Sequence, residues 1–306
     1  MGNRVVITGG GGFIGSHLVD SYVRDRYHVT VIDNFSTGEH FVDGYNKSLL
    51  PVDLSVSQDM SMIEQALEAA DIVFHLAGSV GVKYIDADPK GTLRNSSNIN
   101  NNMFPLFEKY KNRVVFASTS EVYGDTEEAR ETDTLKIGSP DTLRWGYACS
   151  KLMSEFILRT YDFPSTIVRF FNVTGHGQLS KHGMVLPSFV ESIKMGRDIV
   201  VHGDGTQTRT FCDVRDAISM LRLVCEDIHV DEIYNIGNPE NILSIRELAE
   251  MVISMTGVDN NILYKKYDDC FTSEFGEIYK RKPNIDKISK FYKPIHDMKD
   301  IISSML

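Results

Sequence analysis

The stretch Thr8-Gly9-Gly10-Gly11-Gly12-Phe13-Ile14-Gly15-Ser16-His17 follows directly on a β-branched run, Val5 to Ile7, and leads into a helical pattern, Ile14 to Arg26. Gly9, Gly12 and Gly15 stand at three-residue spacing. A strand that ends in glycines and restarts as a helix turns backbone N–H groups and the helix N-terminus toward a phosphate at close range. Such a turn binds an anion without cationic side chains. The surrounding order of strand, glycines and helix carries the reading, since a glycine-rich turn alone is often only a tight turn.

Outward from the turn, short β-branched runs alternate with helical patterns. Val29 to Ile32, Ile72 to Leu76, Val114 to Ala117 and Ile167 to Phe170 read as further buried parallel strands. Ile14 to Arg26, Met60 to Ala69 and Tyr147 to Tyr161 read as the crossover helices between them. This βαβ rhythm predicts an α/β fold, a Rossmann-type doubly wound parallel sheet. Eighteen residues past Gly15, at the end of the second strand, Asp33 can accept hydrogen bonds from ribose hydroxyls and repel a 2′-phosphate, so the expected cofactor is NAD. Asp53-Leu54 and His75-Leu76-Ala77-Gly78 follow later strands and are expected to line adenine and ribose, although a histidine such as His75 is more often a core residue.

After Phe171 the rhythm loosens into a loop (Gly175 to Gly183), a helix (Val185 to Met195), a short strand (Val200, Val201), a helix (Val214 to Cys225), a strand (Ile233 to Ile236) and a helix (Ile245 to Met255). A smaller discontinuous α/β region is implied. The expected division is 1–172 with returning segments 203–236 for the cofactor, and 173–202 with 237–306 for the substrate. The patch Asn98, Asn100, Asn101, Asn102 is poor helix sequence where a helix is expected.

The net charge of −10 argues against a nucleic-acid or anionic-membrane partner, both of which need a basic surface. Met1 to Val6 runs straight into the first strand without a signal-type leader, and no apolar window reaches transmembrane length. Cys149, Cys212, Cys225 and Cys270 are far apart and form no metal-type spacing, and His176 and His182 do not have helical ligand spacing. The expectation is a cytoplasmic protein with plain thiols and no metal site.

Tyr147 and Lys151 are four residues apart in a helical pattern, which puts both side chains on one face. A phenol with an ordinary pKa of about 10 needs nearby positive charge to act as a base near neutral pH. Together with the turn, the segments Ser118-Thr119-Ser120-Glu121-Val122-Tyr123-Gly124, Tyr147-Ala148-Cys149-Ser150-Lys151, Arg169-Phe170-Phe171-Asn172 and Gly205-Thr206-Gln207-Thr208-Arg209-Thr210-Phe211 resemble the extended short-chain dehydrogenase/reductases, the nucleotide-sugar epimerases and dehydratases. The resemblance covers nearly the whole chain. It implies that Tyr147 takes a proton from a sugar hydroxyl as hydride leaves for NAD, that Thr119 hydrogen-bonds that hydroxyl, and that Ser120, Glu121 and Lys151 complete the catalytic set. It further implies cofactor contacts from Gly9, Gly12, Phe13, Ile14, Gly15, Asp33, Asn34, Asp53, Leu54, Leu76, Ala77, Gly78, Tyr147 and Lys151. Asn172, Arg209 and Arg281 would hold a nucleotide-diphosphate sugar, and a homodimer would form through a four-helix interface of the helix after the fifth strand and the Tyr147 to Tyr161 helix.

Four segments divide the family's branches. Ser120-Glu121, Leu143-Arg144-Trp145 and Lys280-Arg281-Lys282-Pro283-Asn284-Ile285 resemble UDP-glucuronate decarboxylases, whereas Gly183-Met184-Val185-Leu186-Pro187 is more similar to hexuronate and hexose 4-epimerases. The expected activity is oxidation of C4 of a UDP-sugar with inversion on return of the hydride, that is, a UDP-hexuronate or hexose 4-epimerase. The alternative is oxidative decarboxylation of UDP-glucuronate; a 4,6-dehydratase or a non-catalytic NAD-binding regulator stand further back.

Overall fold

The computed structural model describes residues 3–38, 47–56, 60–78, 82–226, 229–258, 260–266 and 280–306, with backbone alone at 82–84. The fourth cysteine of the sequence, Cys270, lies outside these ranges. A seven-stranded parallel sheet is built from β1 (Arg4–Thr8), β2 (His28–Ile32), β3 (Lys47–Leu50), β4 (Ile72–His75), β5 (Arg113–Thr119), β7 (Ser165–Phe170) and β12 (Ile233–Ile236). Their spatial order is β12-β7-β5-β4-β1-β2-β3. The doubly wound Rossmann-type sheet expected from the β-branched runs is therefore present. One strand, β3, lacks the β-branched signature, with Lys47-Ser48-Leu49-Leu50 at the sheet's edge, and its pairing with β2 rather than its composition makes it a strand.

Side chains alternate across the sheet as the twofold period of a strand requires. Val5 and Ile7 of β1 join Leu18, Val19 and Tyr22 of α1 (Phe13–Arg24) and Ala217, Met220 and Leu221 of α7 (Val214–Val224) on one face. Val6 joins the opposite cluster, with Ile63 and Leu67 of α2 (Ser61–Glu68) and Met103, Phe104 and Phe107 of α4 (Pro89–Tyr110), which the short α3 (Val82–Ala87) precedes. Both faces being covered explains why all seven residues of β5 are buried. A third cluster lies apart from the sheet, among α6 (Val185–Lys194), β9 (Ile199–His202), α8 (Ile245–Thr256) and α9 (Met298–Met305).

The asparagine patch does form helix, inside the 22-residue α4. Two of its amides, those of Asn100 and Asn102, make ties that an isolated helix could not. Asn100 Nδ2 donates to Ser154 Oγ at 2.6 Å, and Asn102 Nδ2 donates to Leu54 O at 2.8 Å. The weak helix propensity of these residues is offset by bonds to neighbouring elements.

Strand order reverses between β1 and β4, and in such sheets ligands sit in the crevice beyond the carboxyl ends of the strands at that reversal. Thr8, Ile32, His75, Thr119 and Phe170 are those carboxyl ends. Beyond them, β6 (Thr126–Ala129) pairs in parallel with the late strand β15 (Arg281–Pro283), and β10 (Thr208–Thr210) pairs with β13 (Ile242–Ser244). Two further small pairs, β8 (Val173–Thr174) with β11 (Cys212–Asp213) and β9 with β14 (Ile262–Lys265), brace the loosened second half of the chain.

Candidate active site

A cleft of about 840 Å³ runs across the carboxyl ends of the strands. Apart from His75, every residue expected from the sequence to touch cofactor or substrate lines it: Gly9 and Gly12 to Gly15 of the turn, Asp33, Asn34, Asp53, Leu54, Leu76 to Gly78, Thr119 to Glu121, Tyr147, Lys151, Asn172, Arg209 and Arg281.

At one end the glycine turn is closed too tightly for any side chain. A Cβ on Gly15 would stand 2.1 Å from Gly9 O, and one on Gly9, whose φ is +73°, would stand 2.8 Å from Ala77 N. The α1 N-terminus begins at Gly12 with no side-chain cap, so its first N–H groups face the cleft unblocked. Asp33 is held over the turn by two backbone donors, Gly11 N to Oδ2 at 2.8 Å and Phe35 N to Oδ1 at 2.7 Å. A carboxylate so fixed still has lone pairs for two ribose hydroxyls. Asp53 sits below, its carboxyl lowered by the side-chain and backbone donors of Ser55 and by Asn34 despite partial burial. These groups fit an adenine dinucleotide.

At the other end stands α5 (Arg144–Leu158), which brings Tyr147 and Lys151 to the tip of β5. Lys151 Nζ donates to Ala117 O at 2.9 Å. Burial lowers its ammonium to about 8, with Glu155 opposing, so it remains charged at neutral pH. Burial pushes the Tyr147 phenol well above its ordinary value, and Glu121 adds to the rise, while a hydrogen bond with Thr119 and the charge of Arg281 oppose it. Alone, this site keeps the phenol protonated. A further positive charge must arrive before it ionises.

Glu121 is the centre of the cationic end. Its Oε1 accepts from Arg144 Nη2 at 3.1 Å and lies 3.5 Å from Arg281 Nη1. All three side chains are nearly sealed from water, at 15%, 8% and 4% exposure. Burial would raise the Glu121 carboxyl, but Arg144 and then Arg281 outweigh it and hold it ionised. Burial lowers the Arg281 guanidinium to about 10, Glu121 opposing, Arg209 and Arg144 adding to the fall. Among the described residues Arg281 Nε is buried without a hydrogen-bond partner.

Asn172 adopts φ +34°, unusual for a residue with a side chain, and its Nδ2 donates to Thr210 O at 2.8 Å. Arg209, on β10, faces the same cleft. Ser120 is buried beside Glu121. His182 lines the cleft, whereas His176 bonds Ser304 O. Among the described residues no group of three or more His, Cys, Asp or Glu side chains could hold a metal ion, and no helix is long and apolar enough to cross a membrane.

Arg144 is visible in the sequence only as part of a tripeptide before Tyr147. Asn100 stands out in the sequence only as part of the asparagine patch and His75 only as the end of a strand, and neither shows the bond that joins them beneath the turn. The three-residue spacing of Arg144 and Tyr147 on one helix face is the available clue for the first.

Residues 5–237 match the NAD dependent epimerase/dehydratase family, and the chain belongs to it. It is an enzyme of this family and its cofactor is NAD. The chain is 34% identical over 300 residues to a UDP-N-acetyl-alpha-D-glucosaminuronate decarboxylase of Bacillus cytotoxicus, covering 95% of this chain and 92% of that one. It is 30% identical over 295 residues to UDP-glucuronic acid decarboxylase 1 of Xenopus tropicalis, covering 93% of this chain and 66% of that protein, just under two thirds of its length. The fold is shared with the UDP-glucose 4-epimerase of Thermus thermophilus solved with NAD, at a TM-score of 0.85 and 25% identity over 99% of this chain and 97% of that one.

Proposed function

We propose that the enzyme decarboxylates a UDP-linked hexuronate through a 4-keto acid. One observation carries this reading: at the buried, reactive end of the cleft, Glu121 is outnumbered by Arg144 and Arg281. Buried charge of one sign is costly without a partner, so a site built with surplus guanidinium is built for an anion. A neutral hexose brings no charge to that end; a hexuronate brings its C6 carboxylate. The decarboxylase relatives, at 34% and 30% identity, support the same reading.

In this reading residues 1–172 and 203–236 hold NAD, and 173–202 and 237–306 hold the sugar nucleotide. Asn172 and Arg209 face the diphosphate. Tyr147 takes the proton of the C4 hydroxyl, with Thr119 fixing that hydroxyl and Lys151 supplying charge one helical turn on. NAD, when bound, would supply the acceptor for the C4 hydride and the donor for its return. A C4 ketone makes the C6 carboxylate a β-keto acid: the C5–C6 bond breaks, its electron pair moves between C5 and C4, and the C4 oxygen takes the negative charge beside Tyr147 and Thr119 while carbon dioxide leaves. C5 then takes a proton from solvent water, which the Glu121 and Arg281 pair orders, and the charge on the C4 oxygen returns to re-form the ketone.

C4 inversion is the second reading, because the Gly183 to Pro187 loop that resembles 4-epimerases does line the cleft and brings no charged side chain to it. Incubation of the NAD-loaded enzyme with UDP-glucuronate, its 2-acetamido analogue, UDP-glucose and UDP-N-acetylglucosamine, followed by mass spectrometry, tests both. Loss of carbon dioxide from a uronate is the expected result. A product of unchanged mass and inverted C4 would replace decarboxylation with epimerisation.

A further inference from the structure

We infer that Arg144 is a specificity-determining residue: it is the cation that Glu121 keeps when a substrate carboxylate engages Arg281, and it thereby admits a hexuronate in preference to a hexose. The inference rests on the proposed decarboxylation for its choice of ligand but not for its test.

The two guanidiniums share Glu121 unequally. Arg144 Nη2 meets Oε1 at 3.1 Å with hydrogen-bond geometry, while Arg281 Nη1 stands off at 3.5 Å. They also arrive from different elements, Arg144 as the first residue of α5 and Arg281 as the first residue of β15. Arg144 is thus rigidly tied to the helix that carries Tyr147, three residues on. Arg281 borders the cleft with both Nε and Nη1 buried and, among the described residues, without a hydrogen-bond partner, so it has two donors for a second anion.

A carboxylate entering beside Glu121 would meet a like charge in a nearly dry site. Two carboxylates there are tolerable only if each has its own guanidinium. With Arg144 on Glu121 and Arg281 on the substrate, two cations face two anions. Without Arg144, both carboxylates compete for Arg281, and the penalty falls on the uronate alone, since a neutral hexose introduces no second anion. Loss of selectivity without loss of general affinity distinguishes this role from a structural one.

The test uses the NAD-loaded enzyme carrying Tyr147→Phe, so that bound sugar is not consumed. Affinities for UDP-glucuronate and UDP-glucose are measured by calorimetry with Arg144, Arg144→Met and Arg144→Lys. The expected result is a uronate preference in the parent, its fall by at least about tenfold in Arg144→Met, unchanged UDP-glucose affinity, and partial recovery in Arg144→Lys. Equal loss for both sugars, an unaltered uronate affinity, or a parent without uronate preference would each overturn the inference. Release of carbon dioxide by the enzyme with Tyr147 intact is scored separately. A selective but non-decarboxylating enzyme would remove the proposed reaction and leave the role of Arg144 standing, and the converse result would do the opposite.

Discussion

Thr8 Oγ1 lies 2.8 Å from His75 Nδ1, joining the carboxyl ends of adjacent strands beneath the glycine turn. Ala77 N donates to Thr8 Oγ1 at 3.2 Å, which leaves the threonine proton for His75 Nδ1; His75 Nε2 then donates to Asn100 Oδ1 at 3.1 Å. Asn100 passes the direction on to Ser154 Oγ, which donates to Ser150 O at 2.7 Å on the helix of Tyr147. The chain of donors runs one way only with a neutral imidazole. Burial lowers His75 to about 3, Lys151 adding to the fall and Asn100 opposing it.

A histidine depressed in the folded state takes up protons on unfolding, so its contribution to stability is complete above the unfolded value of about 6.5 and is lost as pH falls toward about 3. The slope is about 1.4 kcal/mol per pH unit, or on the order of 2 kcal/mol between pH 7 and pH 5. Urea denaturation at those two pH values should show this component in the parent and its disappearance in His75→Gln. An unchanged pH dependence in the variant would contradict the assignment.

Tyr147→Phe should lower turnover by roughly 10²- to 10⁴-fold, the usual contribution of a positioned general base. The phenol is buried, with a hydrogen bond to Thr119 and the charge of Glu121 nearby. NAD affinity should remain near that of the parent, because the turn and Asp33 are untouched. Stopped-flow turnover and cofactor titration check the two halves separately.

Glu121→Gln separates oxidation from the later step. Removing the carboxylate relieves the upward push on Tyr147, so formation of the 4-keto sugar should survive or improve. Loss of carbon dioxide with correct reprotonation at C5 should fall by about 10²-fold or more, and the reduced cofactor should accumulate. Parent-like product formation would count for C4 inversion.

Asp33→Ala should weaken NAD binding by roughly 10- to 100-fold, the range for hydrogen bonds to a charged acceptor, and should narrow the preference over NADP. The glycine turn would also lose the acceptor that Gly11 N uses. Calorimetry with both cofactors measures the ratio; tighter binding of NADP than NAD by the parent would contradict the role of Asp33.

We propose that the enzyme is a homodimer packed through α5, whose outer face presents Met153 at 56% and Phe156 at 64% exposure. Isologous dimers are the commonest oligomers, and large apolar side chains adjacent on one exposed helix face favour such an interface. Met153→Glu with Phe156→Glu should convert a dimer mass in solution scattering into a monomer mass. A monomer in the parent at all concentrations would remove the proposal.

The doubly wound sheet, the dinucleotide turn and the Tyr147–Lys151 pair were legible in the sequence because each is a local pattern: glycines at a fixed spacing, β-branched runs between helical stretches, two side chains one helical turn apart. Local spacing determines local conformation, and β1 through α1 places its phosphate-binding groups within a few residues of each other. What only the tertiary structure decided are relations across long separations. Lys47 to Leu50 became a strand by pairing with β2, and the asparagines of α4 became ties to Ser154 and Leu54. Arg144 and Arg281, 137 positions apart (281 − 144), meet on Glu121 because the parallel pairing of β15 with β6 carries the end of the chain back to the tip of β5. No propensity or spacing encodes that meeting; it follows from burying apolar faces and satisfying backbone groups over the whole fold, and with it comes the surplus of positive charge around Glu121.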